Sequence, residues 1–119
     1  MYHVNTMFDF LFPQVPQVES EDVKKAIDTK EKMILLDVRT DAEYAKNRLH
    51  GSINVPVDQI ANRITAKIPD KSAKIYVYCL SGSRSTHAVS VMVQLGYTNV
   101  YNMKQGLLAW RAKGLPVLS

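Results

Sequence analysis

The chain is 119 residues long, with a formal net charge of +4 and a single cysteine. This length suits one domain built around one hydrophobic core. The basic residues are scattered rather than grouped in blocks, so no nucleic-acid partner is expected. A single cysteine excludes an internal disulfide and favours a reducing, cytoplasmic setting.

The N-terminal segment is predicted to be an arm over residues 1–14, ahead of a domain at 15–119. It is rich in aromatic residues but lacks the charged region, continuous apolar region and cleavage site of a signal peptide. No stretch reaches transmembrane length, so no membrane partner is expected. We expect the arm to pack on the domain surface or to be partly ordered. The alternative is a dimer contact through Phe8, Phe10, Leu11 and Phe12.

Strands and helices alternate in the first part of the chain. A short strand near Val15–Val18 precedes a helix that Ser20 is expected to cap and that runs to about Thr29. Met33–Val38 is an almost continuous apolar run, typical of a strand buried on both faces. The segment Thr40–Glu43 matches a capping box, which predicts that a short helix begins there.

The alternation continues through the middle of the chain. A strand over Ile53–Val55 is ended by Pro56. Asp58 is expected to cap the next helix, in which isoleucines recur every four residues from Ile60 to Ile68. The β-branched and aromatic run Lys74–Tyr78 predicts another buried strand.

The last part of the chain completes the pattern. A long helix ends at Gly96, a short strand lies near Val100–Tyr101, and a helix around Gly106–Lys113 is stopped by Gly114 and Pro116. Five strands with intervening helices predict an α/β fold. We expect a five-stranded, mostly parallel sheet with helices on both faces.

Cys79 is the candidate nucleophile. It ends the strand at 74–78, and function in such sheets concentrates outside the carboxyl ends of strands. The loop after it opens a helix, a geometry that gathers unpaired backbone N–H groups around one point. Those dipoles, the helix N-terminus and Arg84 all favour the thiolate over the thiol. The alternative is a small buried hydrophobic residue, the more common role of a lone cysteine.

The loop itself is expected to bind an anion. Gly82 allows a positive φ and close approach of the backbone, and Arg84 supplies the one full charge. Backbone N–H groups in the loop can stabilise negative charge in the manner of an oxyanion hole. The candidate substrate-binding residues are Leu80, Ser81, Gly82, Ser83, Arg84 and Ser85.

A second group of polar residues is expected at the same rim of the sheet. Asp37 and Arg39, at the end of the second strand, are interpreted as a structural ion pair that braces the rim. Glu43 is expected to be the carboxylate of the capping box, with pairing to Arg84 or Arg39 as the alternative.

The remaining candidate residues carry little functional signal. His3, His50 and His87 lack metal-ligand spacing, so neither a metal nor a cofactor is expected. His87 is interpreted as solvent-exposed, with a place near Cys79 as the alternative. Trp110 is expected to pack in the core or at its rim.

Several segments, in order, resemble the signatures of rhodanese domains. These segments are Leu35–Arg39, Glu43–Tyr44, Gly51–Pro56, Tyr78–Ser85, Leu95–Tyr97, Val100–Tyr101 and Ala109–Val117. The resemblance covers roughly Val15 to Val117, which is nearly the whole chain. It implies a five-stranded parallel α/β sandwich and a sulfurtransferase that carries sulfane sulfur as a persulfide on Cys79.

The resemblance also implies partners. The donor would be a small anionic sulfur compound, and one arginine in the loop favours thiosulfate over mercaptopyruvate. Because no second cysteine is present to resolve the persulfide, the acceptor must be external: cyanide, a thiol or a protein.

Two other functions on the same fold stay open at this point. Phosphatases and arsenate reductases place five residues between the cysteine and the arginine, whereas four separate Cys79 from Arg84 here. A non-catalytic interaction domain is the other alternative, and the presence of Cys79 argues against it.

Two segments depart from the family pattern. The usual Gly-His is replaced by Asn47-Arg48, and the usual paired glycines before the last helix are replaced by Gln105-Gly106. The first change is expected to alter a surface turn, and the second the start of the last helix.

Overall fold

The computed structural model describes residues 14–119. The expectations for the arm, including its dimer contact, fall outside the described residues except for Gln14. Within the described part the strands are β1 Gln17–Val18, β2 Ile34–Asp37, β3 Ile53–Asn54, β4 Ile75–Tyr78 and β5 Val100–Met103. They form one sheet in the order β1-β5-β4-β2-β3, and every neighbouring pair is parallel. The predicted five-stranded α/β fold is confirmed.

Helices connect the strands on both sides of the sheet. The α-helices are α1 Ser20–Asp28, α2 Asp41–Lys46, α3 Ile60–Lys67, α4 Ser83–Gln94 and α5 Gly106–Ala112, and a 3-10 turn at Val57–Gln59 precedes α3. Across residues 14–119, no helix combines the length and the hydropathy needed to cross a membrane.

Two predicted helix caps are wrong. Ser20 is the first residue of α1, and Glu19 occupies the N-cap without a side-chain hydrogen bond. The buried Ser20 hydroxyl instead accepts a hydrogen bond of 2.7 Å from Lys113, just beyond α5. Asp58 lies inside the 3-10 turn, which runs directly into α3, so Gln59 becomes the N-cap.

The two faces of the sheet pack against different helices. Successive residues of a strand point to opposite faces. Tyr76 and Tyr78 therefore lie in the hydrophobic cluster that includes α1 and α5, whereas Val77 lies in the cluster that includes α3 and α4. Cys79 continues the alternation and joins the cluster of Val77. Strand geometry thus directs the cysteine to the side of the sheet on which α4 packs.

Helix α5 begins directly on the backbone that follows β4. Leu107 N donates to the carbonyl of Cys79 and Leu108 N to the carbonyl of Leu80, both at 3.0 Å. This approach requires Gly106, which has a φ of 54° and where a Cβ would lie 2.7 Å from the carbonyl carbon of Leu80. The start of α5 therefore holds the backbone next to the candidate nucleophile.

Gly106→Ala is expected to lower the free energy of unfolding by about 2–5 kcal/mol, because left-handed strain adds to overpacking against a backbone. Gly114→Ala is the matched control. Gly114 also has a positive φ, of 72°, but a Cβ there would meet nothing within 4 Å. The control should lose only about 1–2 kcal/mol from left-handed strain. Denaturant unfolding of the wild type and both variants measures the losses, and equal losses would contradict the close packing at Gly106.

Candidate active site

Cys79 Sγ lies at the focus of two backbone N–H groups. Gly82 N approaches it at 3.1 Å and Ser85 N at 3.4 Å. A cysteine that served only as a buried hydrophobic residue would have apolar neighbours on every side. Cys79 is fully buried, yet donors point at its sulfur, which is the arrangement that stabilises negative charge.

The local backbone explains why these groups converge. Gly82 is the N-cap of α4 and has a φ of 105°, in the left-handed region that favours glycine. A Cβ at Gly82 would also meet Gln105 N at 3.2 Å. Ser85 belongs to the first turn of α4, where backbone N–H groups have no partner within the helix. The sulfur occupies the place of that partner.

The side chain of Ser85 connects the sulfur to a buried polar chain. Ser85 Oγ lies 3.3 Å from Cys79 Sγ and donates to Asn102 Oδ1 on β5. Asn102 Nδ2 donates to Gln17 Oε1 at 2.9 Å, and Gln17 Nε2 donates to the carbonyl of Val15 at 3.3 Å. The carbonyl of Val15 can only accept a hydrogen bond. It therefore fixes which atom donates and which accepts at each step of this series of hydrogen bonds. The Ser85 hydroxyl therefore has Asn102 Oδ1 as an acceptor, and the carbonyl of Gly82 at 3.2 Å as a second one, and these contacts hold its oxygen beside the sulfur.

Sequence reasoning missed Asn102 and Gln17. A signal was present, because Asn102 is a single amide in an otherwise apolar strand and is almost fully buried. Buried polar side chains are nearly always hydrogen-bonded, so its partner could have been sought across the sheet. The parallel pairing of β1 with β5 places Gln17 directly opposite Asn102.

Arg84 and Glu43 meet beside the loop. Arg84 Nη1 donates to Glu43 Oε1 at 2.7 Å, and Arg84 Nη2 donates to Glu43 Oε2 at 3.1 Å. Glu43 also closes the predicted capping box of α2, since it accepts from Thr40 N at 3.0 Å. Glu43 therefore takes both roles that were considered as alternatives: it caps α2 and it pairs with Arg84. Arg84 does bring a full charge to the loop, but Glu43 balances it.

The hydrogen bond from Arg84 is the main reason that the pKa of Glu43 falls from its ordinary value to about 2. The bonds from Thr40 lower it further, while partial burial acts in the opposite direction. Glu43 is therefore a carboxylate throughout the neutral range, and the ion pair with Arg84 persists there.

Asp37 and Arg39 form the expected ion pair at the end of β2. Arg39 Nη2 lies 2.7 Å from Asp37 Oδ2, and the Arg39 Nε–H is shared between both carboxylate oxygens. Both side chains are buried. Arg39 also donates to the carbonyl of Asn47 at 2.6 Å and to its side chain at 3.2 Å, and it lies over the ring of Tyr78. These contacts tie β2, α2 and β4 together without reaching the sulfur.

The two departures from the family pattern have different consequences. The departure at Asn47 adds a contact to the rim, because its side chain accepts from Arg39 at 3.2 Å. Gln105 takes the N-cap of α5 with a φ of 60°, a left-handed conformation that is unusual for a residue with a side chain. The second departure thus places a residue with a side chain in a left-handed conformation at the start of the last helix.

The remaining candidate residues do not contact the sulfur of Cys79 in the described contacts. His87 is exposed on α4, and Trp110 is buried and donates to the carbonyl of Pro116 at 2.9 Å. Leu80, Ser81 and Ser83 are exposed around the loop. Among residues 14–119, no group of three or more His, Cys, Asp or Glu side chains could hold a metal ion.

Comparisons with known proteins agree with this geometry. Residues 19–113 match the family model of the rhodanese-like domain. A sulfurtransferase of Allochromatium vinosum is 33% identical over 105 residues, which cover 88% of this chain and 96% of that protein. The thiosulfate sulfurtransferase PspE of Escherichia coli is 36% identical over 67 residues, covering 56% of this chain and 64% of PspE.

The fold has close structural neighbours as well. The solution structure of the rhodanese-like domain of an Anabaena protein superposes with a TM-score of 0.78 at 28% identity. The match covers 87% of this chain and 79% of that domain. Sequence and structure lead to the same conclusion: the chain belongs to the rhodanese-like domain family.

Proposed function

We propose that the chain is a sulfurtransferase that moves sulfane sulfur from an anionic donor to a thiophilic acceptor through a persulfide on Cys79. The observation that carries the proposal is the convergence of Gly82 N and Ser85 N on Cys79 Sγ. Relatives named as sulfurtransferases, in Allochromatium vinosum and Escherichia coli, support it. A lone reactive thiol needs reducing surroundings, so we propose the cytoplasm as its compartment.

In the first step the Cys79 thiolate attacks the outer sulfur of the donor. With thiosulfate, a bond forms between Sγ and that sulfur, the donor's S–S bond breaks, and its electron pair leaves with sulfite. The product is the Cys79 persulfide. Two anions meet in this step, and the N–H groups of Gly82 and Ser85 offset their repulsion.

In the second step an external acceptor attacks the outer sulfur of the persulfide. With cyanide, a carbon–sulfur bond forms, the S–S bond breaks, and the electron pair returns to Cys79 as thiolate. The chain has no second cysteine that could do this internally. The proposed acceptors are therefore cyanide in an assay, and a thiol or a partner protein in the cell.

Incubation with thiosulfate is expected to add the mass of one sulfur atom to the wild-type protein, because Cys79 is its only thiol. Cyanide should remove that mass and release thiocyanate. Cys79→Ser should show neither the adduct nor turnover, as measured by intact mass and thiocyanate absorbance. A folded wild-type protein that gains no sulfur from thiosulfate or from a persulfide donor would favour a non-catalytic interaction domain.

Aryl phosphates are expected to be hydrolysed poorly or not at all. A phosphoryl group needs a loop wide enough to surround three equatorial oxygens, whereas the N–H groups of this loop close on one sulfur. The loop also lacks an acid to protonate a leaving alkoxide, since no Asp or Glu lies between Cys79 and Ser90. Phosphate release at matched enzyme concentration measures this. Cys79-dependent phosphatase turnover equal to sulfur transfer would overturn the argument.

A further inference from the structure

We propose that Glu43 determines which donors the site accepts, by neutralising Arg84 and so disfavouring dianionic donors relative to monoanionic ones. The inference rests on the proposed sulfur transfer and names the donor class: monoanionic sulfane sulfur compounds, such as organic persulfides and thiosulfonates. Glu43 acts through Arg84 and through its own charge, so it is a specificity-determining residue and not a catalytic one.

The position of the ion pair is the first argument. Arg84 is the second residue of α4, between Ser83 and the Ser85 whose N–H points at the sulfur. Its guanidinium reaches across to Glu43 on α2, 41 positions earlier in the chain. The side chains are 34% and 33% exposed, so the pair lies at the solvent boundary rather than in the core. Both charges therefore lie beside the loop that surrounds the sulfur.

The balance of charge is the second argument. Glu43 raises the pKa of Arg84 most strongly, and the Cys79 thiolate adds a smaller contribution in the same direction. The guanidinium is therefore within electrostatic range of the sulfur, but its nearest charge is a carboxylate. Attraction by Arg84 is largely cancelled, and the partial charges of the loop N–H groups still favour the anion.

Donor charge decides how strongly this matters. The repulsion between Glu43 and a donor scales with the donor's charge, so thiosulfate loses about twice as much interaction energy as a monoanion. A thiosulfonate can react by the same step: the thiolate attacks the terminal sulfur, the S–S bond breaks, and the electron pair leaves with a sulfinate. This step gives the same persulfide without bringing a second negative charge to Glu43.

Glu43→Gln removes the negative charge of this side chain while it keeps the local structure. Glutamine can keep the capping-box hydrogen bond from Thr40 N, as the motif accepts Glu or Gln. Helix α2 buries none of its residues, so the substitution leaves the core untouched. Asp41→Asn is the matched control, because it removes the same charge from an exposed residue of the same helical turn.

Kinetics with two donors test the proposal, using cyanide as acceptor. Glu43→Gln should raise kcat/KM for thiosulfate about three- to tenfold, mainly through KM, and for benzenethiosulfonate by about the square root of that factor. The gain should shrink with added salt and disappear in Glu43→Gln/Arg84→Gln. Asp41→Asn should change little. Equal factors for the two donors, or a gain matched by Asp41→Asn, would overturn the role of Glu43.

Alkylation of Cys79 separates this inference from the proposed function. Iodoacetate is an anion and iodoacetamide is neutral, so the ratio of their rates reports the local charge without any sulfur transfer. Glu43→Gln should raise the iodoacetate-to-iodoacetamide ratio by a factor close to that for benzenethiosulfonate. An unchanged ratio would refute the electrostatic role even in an active enzyme. A raised ratio with no transfer from either donor would refute the sulfurtransferase proposal instead.

Discussion

The structure depends on one arrangement: two backbone N–H groups, from Gly82 and Ser85, directed at one sulfur atom. Each part of the surrounding fold maintains it. The alternation of β4 sends Cys79 to the side of the sheet where α4 begins, and Gly82 turns the chain through a left-handed conformation into that helix. Helix α5 holds the preceding carbonyls from the other side through its first N–H groups. Cys79 is thus placed by the backbone geometry of β4, α4 and α5.

Formal charges around the site are balanced in pairs, which gives the partial charges of the loop their importance. Asp37 neutralises Arg39 inside the rim, and Glu43 neutralises Arg84 at the edge of the loop. In the proposed reaction a dianionic donor would therefore gain little from either arginine. The oriented N–H groups stay available because they are fixed before the donor arrives, and preorganised dipoles in a water-poor site stabilise charge without reorganisation. This division of roles connects the fold to the proposed donor preference.

Local patterns in the sequence were sufficient for the fold and for the place of Cys79 at the end of a buried strand. Apolar runs predicted the strands, and a capping box spans only four residues. Both patterns can therefore be recognised from neighbouring residues in the sequence alone. The caps predicted at Ser20 and Asp58 were wrong because tertiary contact and a 3-10 turn overrode the local preference. Asn102 was missed, and pairing of Glu43 with Arg84 was foreseen only as an alternative to capping, because their partners lie far away in sequence and meet only after the sheet forms.

The most direct test of the central claim is a proton–nitrogen correlation spectrum of the protein before and after loading with one sulfur from a donor. If the loop N–H groups hold the persulfide, the amide signals of Gly82 and Ser85 should shift on loading and return when cyanide removes the sulfur. The amide of Gly114, far along the chain in a turn after α5, should stay unchanged. Unmoved Gly82 and Ser85 signals in a protein whose mass shows sulfur on Cys79 would contradict the account.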